Sequence, residues 1–301
     1  MPLSLLVKSF SRQWREVEVA SSVVTKASRK SLKRARQLWK PEAIKPGAVV
    51  SVRLRCNHGF NGNSLDDLAK VVLERRAIHA EMDFLLNKEG MLVSGHDADS
   101  YLGSSGVMIS DVTAPYAVVN RRGARVVTLD IALALLPPGS QLFIDLKDTK
   151  NSVRRDEAIL AAVKAVEASR RGPDEAVIMA YDFGGAAGAM QRSGLKYALK
   201  HSLRPKLTER EAIRLLKKAE RLGCRYFCYP AHPSYKRLAA KAKKVRLLVP
   251  LFDLAGAKSH FDNGTTLFIS KWATSTVERA TRTPPPPKLV APMETEGVSA
   301  M

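Results

Sequence analysis

The sequence predicts an α/β fold, a single-domain (β/α)8 TIM barrel, on three observations. Apolar runs of strand length alternate with helix-like stretches, the pattern of a parallel sheet. Eight such runs occur, the number that closes a barrel. No Gly-rich phosphate fingerprint follows the first run, so the structural alternative, a doubly wound open sheet, lacks its usual mark.

The predicted strands are 49–56, 78–84, 141–147, 175–181, 195–201, 225–230, 245–252 and 265–270. Helix-like stretches at 64–76, 153–170, 183–193, 207–221 and 233–243 lie between most of them. Thr208-Glu-Arg-Glu211 opens one of these with a capping-box pattern, and Arg171-Gly172-Pro173 closes another with helix-ending punctuation.

Length and composition agree with one large domain. At 301 residues and 45% hydrophobic content the chain can bury a sizeable core. No window reaches 18 consecutive apolar residues, so a membrane-spanning helix is not expected. Cys56, Cys224 and Cys228 match neither a disulfide framework nor a zinc site, and read as buried or idle thiols of a reducing compartment.

The formal net charge of +20 is unevenly spread. Residues 1–45 carry eleven Lys or Arg against three Glu and read as a basic leader, either an organelle transit peptide or a leader helix that stays on the chain. A transit peptide would direct the chain to a mitochondrion or another organelle; without one, the cytoplasm is expected. Residues 46–281 form the predicted barrel domain. Residues 282–301, which include Thr283-Pro-Pro-Pro-Pro-Lys288, read as a disordered tail. A basic surface draws polyanions, so nucleic acid, an anionic membrane surface and phosphorylated small molecules are all open on charge alone.

Polar residues at the strand ends narrow the choice. Catalytic groups of a TIM barrel sit at the C-terminal ends of its strands. The first predicted strand runs into Asn57-His58-Gly59-Phe60-Asn61, the second into Glu81-Met82-Asp83 and the third into Asp145-Leu146-Lys147. A short extended piece, Met91 to Gly95, leads into His96-Asp97. Residues two apart on a strand share a face, so Glu81 and Asp83 project together, as do Asp145 and Lys147. Three carboxylates converging on one mouth repel unless a cation joins them, and all-oxygen ligation suits Mg2+ or Ca2+. Two histidines flanking that cation would serve as general acid and base near neutral pH, with Lys147 neutralising charge that develops on a phosphate.

In this order and spacing the motifs resemble the glycerophosphodiester phosphodiesterase family, part of the wider phospholipase-C-like TIM-barrel superfamily. The resemblance covers about residues 50–150 and includes Val127-Thr128-Leu129-Asp130, the lead into an apolar helix. It implies a phosphoric diester hydrolase acting on glycerophosphodiesters or lysophospholipids. Glu81, Asp83 and Asp145 would hold the divalent metal, and His58 and His96 would act as acid and base. Asn61, Lys147 and Trp272 are the candidate substrate and phosphate contacts.

The chain departs from the family pattern at several positions. Gly59 stands where the family has Arg, Gly62-Asn63-Ser64 where it has Glu-Asn-Thr, and Asp145 where it usually has Glu. Asp145 together with Asn61 is more similar to sphingomyelinase-D-type relatives, which release cyclic phosphates. The missing Arg and Glu also keep open an inactive barrel used for binding. Nucleic acid ranks lowest as a partner, because no RNA-recognition motif occurs and the carboxylates would be unexplained. The Lys-rich run at 236–246 reads as a solvated helix face, with contact to anionic lipid or nucleic acid as the alternative.

Overall fold

The computed structural model describes residues 51–53, 63, 64, 68, 80–96, 101–102, 107–108, 111, 126–136, 141–147, 154–169, 171–201, 208–229, 235–242, 244–251 and 267–270. The leader, the tail, the predicted helix beyond residue 68, and His58, Asn61 and Trp272 lie outside them.

Eight parallel strands close on themselves. They are β1 (Ser51–Arg53), β2 (Ala80–Leu86), β6 (Leu142–Leu146), β7 (Ala176–Ala180), β8 (Lys196–Lys200), β9 (Tyr226–Cys228), β10 (Arg246–Leu251) and β11 (Leu267–Ser270). Each pairs with the next, and β1 pairs with both β11 and β2, so the ring has no open edge. Glu81 is level with Phe143, Val177 and Lys196, Ala198 with Tyr226 and Arg246, Leu248 with Leu267, Ile269 with Ser51, and Val52 with Ala80. One circuit through this register returns to β2 displaced by eight residues, the shear of an eight-stranded barrel. The open-sheet alternative is excluded. Each predicted strand contains an observed one, except that β2 runs on to Leu86 because its last residues pair with an extra antiparallel strand, β3 (Leu92–Ser94). A separate hairpin joins β4 (Tyr101–Leu102) to β5 (Val107–Met108).

Alternation along the strands divides the core in two. Phe143, Val177, Met179, Ala198, Tyr226, Cys228 and Leu248 point inward and fill the barrel. Their neighbours, among them Ile144, Ile178, Leu199, Phe227 and Val249, point outward and pack beneath the helices. Both faces are therefore buried, which is why these strands read as unbroken apolar runs.

The described helices are α1 (Leu129–Leu135), α2 (Arg155–Ala168), α3 (Ala187–Ser193), α4 (Glu209–Leu222) and α5 (Tyr235–Lys241). Helix α4 buries Ala212, Leu216 and Ala219, at the three- and four-residue spacing that puts one stripe on the barrel wall. Thr208 accepts from the Glu211 N–H, while the Glu211 carboxylate accepts from the Thr208 N–H at 2.8 Å, completing the predicted capping box. At its other end Gly223 holds φ at 79°, a left-handed conformation closed to most side chains, and a Cβ there would sit 3.0 Å from the Tyr197 hydroxyl. Arg171 donates to Leu133 O and Leu136 O, capping α1 from another segment.

Asp182, just past β7, ties two helices to the barrel. Lys218 of α4 donates to its Oδ1 at 2.8 Å and Arg155 of α2 to its Oδ2 at 3.3 Å. Partial burial opposes ionisation, but Lys218, the Phe183 N–H and Arg155 together outweigh it and hold the carboxyl below its ordinary value. The folded state therefore favours the ionised form.

Two outcomes follow from these contacts. Thr208→Ala should cost about 1 kcal/mol in chemical denaturation, the usual worth of an N-cap. The contribution of Asp182 should be complete above an unfolded-state value of about 3.9 and fade as pH falls through the lower folded value. The stability gap between the protein and Asp182→Asn, followed by denaturant midpoint from neutral to acid pH, should close below about pH 4; a constant gap would remove the linkage.

Candidate functional site

The register of β2 and β6 builds the centre of the site. It sets Asp83 level with Asp145, with Glu81 one inward position deeper. All three project into the barrel near its C-terminal mouth. One oxygen from each lies within 4.8 Å of the others, and the residues are only 1%, 0% and 4% exposed. At that separation each like-charge pair costs on the order of 3 kcal/mol at an effective dielectric of about 20. The cluster needs compensating positive charge.

Two lysines provide part of it. Lys147, at the end of β6, places Nζ 2.5 Å from Asp83 Oδ1 and 2.6 Å from Asp145 Oδ2. Lys200, the last residue of β8, is 5% exposed and pairs with Asp145 Oδ1 from inside the barrel. Its Nζ also donates to Leu146 O at 3.1 Å and lies 4.1 Å from the centre of the Tyr181 ring. Three formal carboxylates against two ammonium groups leave the cluster with one negative charge.

Asn63 fixes the outer carboxylate. Its amide donates to Asp83 Oδ2 at 2.8 Å, and its own Oδ1 accepts the Asp83 N–H at 2.9 Å. The reciprocal pair requires Asn63 to hold φ at 49°, a left-handed value that Asn tolerates better than most residues. The hairpin from β2 into β3 then carries the chain back past the cluster. Asn87 Oδ1 accepts from Met91 N–H at 2.7 Å to make the turn, and Gly95 N–H donates to Asp83 O at 3.0 Å. His96 follows directly, half-buried beside the Asp83 strand.

Four predicted site residues, Glu81, Asp83, Asp145 and Lys147, thus meet in one cluster, with His96 on the adjoining hairpin. His58, Asn61 and Trp272 belong to segments outside the described residues. Asn63 and Lys200 were not singled out from the sequence. Lys200 has a signal there, a lysine ending an apolar strand on the same face as Ala198; Asn63 in a loop looks like any turn residue. Both described cysteines are buried: burial pushes the Cys224 thiol up to about 12, and Cys228 packs inside the barrel.

A closed (β/α)8 barrel with an acidic, lysine-braced mouth defines the class of this chain. No protein-family profile and no curated protein matches its sequence. Solved structures do match. A glycerophosphodiester phosphodiesterase from Parabacteroides distasonis has TM-score 0.59 at 15% identity, covering 79% of this chain and 99% of the other. One from Agrobacterium tumefaciens has TM-score 0.55 at 16% identity over 78% and 100%. A phosphodiesterase from Oleispira antarctica, solved with its product sn-glycerol-3-phosphate, has TM-score 0.59 at 14% identity over 78% and 98%. The chain shares their fold.

Removing one lysine distinguishes the two braces. Lys200→Met leaves a buried carboxylate short of its inner cation and should cost about 3 kcal/mol in urea denaturation. Lys147→Met, at the wetter edge, should cost less; the reverse order would mean that the outer lysine carries the compensation.

Proposed function

We propose that this protein is a metal-dependent phosphoric diester hydrolase acting on glycerophosphodiesters or lysophospholipids. The observation that carries the reading is the convergence of Glu81, Asp83 and Asp145 with Lys147 and Lys200 at the mouth of a barrel shared with glycerophosphodiester phosphodiesterases.

The residues fit a hard divalent cation. All three donors are carboxylate oxygens, close enough to converge on one ion, and their formal charge exceeds what the lysines neutralise. Glu81, Asp83 and Asp145 would hold Mg2+ or Ca2+. The ion would supply Lewis-acid polarisation of a phosphoryl oxygen. With it the cluster carries one positive charge, which a phosphodiester monoanion cancels. That balance favours a diester over a dianionic monoester.

The chain's own groups do the remaining work. Asn63 fixes Asp83 and Lys200 fixes Asp145, so neither carboxylate reorganises when substrate arrives. Lys147, the more exposed lysine, is paired with Asp83 and Asp145 and from there would offset charge developing on the equatorial oxygens. His96 and His58 share the proton transfers: one takes the proton of the attacking hydroxyl, from water or a neighbouring substrate group, and the other protonates the departing alcohol oxygen. The resemblance of Asp145 with Asn61 to sphingomyelinase-D-type relatives supports a second outcome, in which the substrate's own hydroxyl attacks phosphorus, the alcohol departs and a cyclic phosphate is released.

Phosphorus NMR tests both readings. With Mg2+ or Ca2+, glycerophosphocholine, glycerophosphoethanolamine, lysophosphatidylcholine or sphingomyelin should be converted, and Glu81→Ala/Asp83→Ala should abolish conversion by at least about a thousandfold. The product resonance reports a linear or a cyclic phosphate. No conversion of any of them, with calorimetry still detecting metal binding, would make the barrel a binding protein.

A further inference from the structure

Helix α4 carries a feature that the barrel-mouth chemistry does not use. Opposite the buried stripe of Ala212, Leu216 and Ala219 stand Arg210, Arg214, Lys217 and Arg221, all exposed. They recur at four, three and four residues, so they form one line along the helix, about 16 Å long at 1.5 Å per residue. Solvated helix faces ordinarily mix signs, since like charges at this spacing repel and weaken the helix. Here the line is wholly basic.

Of the acids beside it, Glu209 and Glu211 are engaged at one end, and Glu220 flanks Lys217 and Arg221 at the other. Glu211 completes the capping box with Thr208, and Glu209 receives Arg237 of α5 at 3.1 Å. Among the described residues, none of the four stripe residues makes a salt bridge. Helix α5 packs against α4 and adds one further exposed cation, Lys241, beside the paired Arg237. The Lys-rich run at 236–246 is therefore not an isolated solvated face but the neighbour of a second basic line.

We propose that the α4 stripe, flanked by α5, is a docking surface for the sugar–phosphate backbone of a nucleic acid. Geometry favours a linear polyanion, because the charges follow one helix axis down the outer wall of the barrel. Composition favours it too: three of the four stripe residues are Arg, whose planar guanidinium grips phosphate through paired donors. A lipid surface fits less well. Helices that bind membranes set an apolar face beside the basic one, and the one large exposed apolar side chain among the described residues, Leu160, lies on α2. The net charge of +20 adds long-range attraction of the same sign. Binding here is sequence-independent and separate from the barrel mouth.

The test uses the full chain and a fluorescently labelled single strand of about 20 nucleotides, with affinity read by anisotropy between roughly 50 and 200 mM salt. The comparison protein carries Arg210→Gln, Arg214→Gln, Lys217→Gln and Arg221→Gln, which keep helix propensity and touch no core residue. The control carries Lys164→Gln and Arg192→Gln, exposed basic positions on α2 and α3. Four phosphate contacts to a single strand give a log–log salt slope of about −3. That slope should disappear in the stripe variant, with a loss of affinity of about tenfold or more at the lowest salt, and survive in the control. An unchanged slope in the stripe variant would overturn the proposal, as would an equal loss in the control. Stripe-dependent binding to phosphatidylserine vesicles, with no nucleic-acid binding, would assign the surface to membranes instead.

Discussion

Closure of the barrel forces Asp83 and Asp145 side by side. They sit level on adjacent parallel strands, buried, with Glu81 one inward position below. An isolated charge in such a place costs several kcal/mol, and three together cost more. The rest of the mouth is organised around that cost. Lys147 bridges Asp83 and Asp145, Lys200 pairs with Asp145 from within, and Asn63 locks Asp83 through paired hydrogen bonds. An arrangement so expensive to fold is hard to explain as scaffolding. Apolar residues of similar volume would hold the strands together at least as well.

Departures from the glycerophosphodiester phosphodiesterase pattern gain a physical meaning from this. The chain lacks the Arg that follows the first histidine in that family, having Gly59 instead, and lacks the acid of the family's Glu-Asn-Thr, having Gly62. One cation and one anion are thus missing together. Asn63 is retained and holds Asp83. Lys200 adds a cation from β8, two strands along the ring from Asp145. Asp83 and Asp145 are accordingly each held by specific donors.

Much of this was legible in the sequence. The eight strands stand out because both of their faces are buried, giving apolar runs with clear punctuation. Glu81 and Asp83 stand out because two acids alternating within such a run have no ordinary structural use, and Asp145 within Phe143-Ile144-Asp145-Leu146 repeats the signal. The capping box at Thr208 and Glu211 follows from local hydrogen bonding and was readable for that reason. Lys200 and Asn63 were not, because a lysine ending a strand and an asparagine in a loop are both commonplace. The basic line on α4 lay in view at residues 210 to 221, yet its one-sidedness appears only once the helix's buried face is known.

The sequence by itself determined which segments extend and which coil, where helix α4 begins, and that several acids and at least one lysine lie at strand ends. Those properties are set within a few residues, by side-chain periodicity and nearby hydrogen bonds. Only the tertiary structure decided that β1 pairs with both β2 and β11, that Asp83 faces Asp145, and that Lys200 reaches across from β8. These facts depend on the strand register, and register is fixed by closing the whole ring with one consistent shear. No local stretch of sequence contains that condition, so the fold, not the motifs, added Lys200 and Asn63 to the site and set how its members face one another.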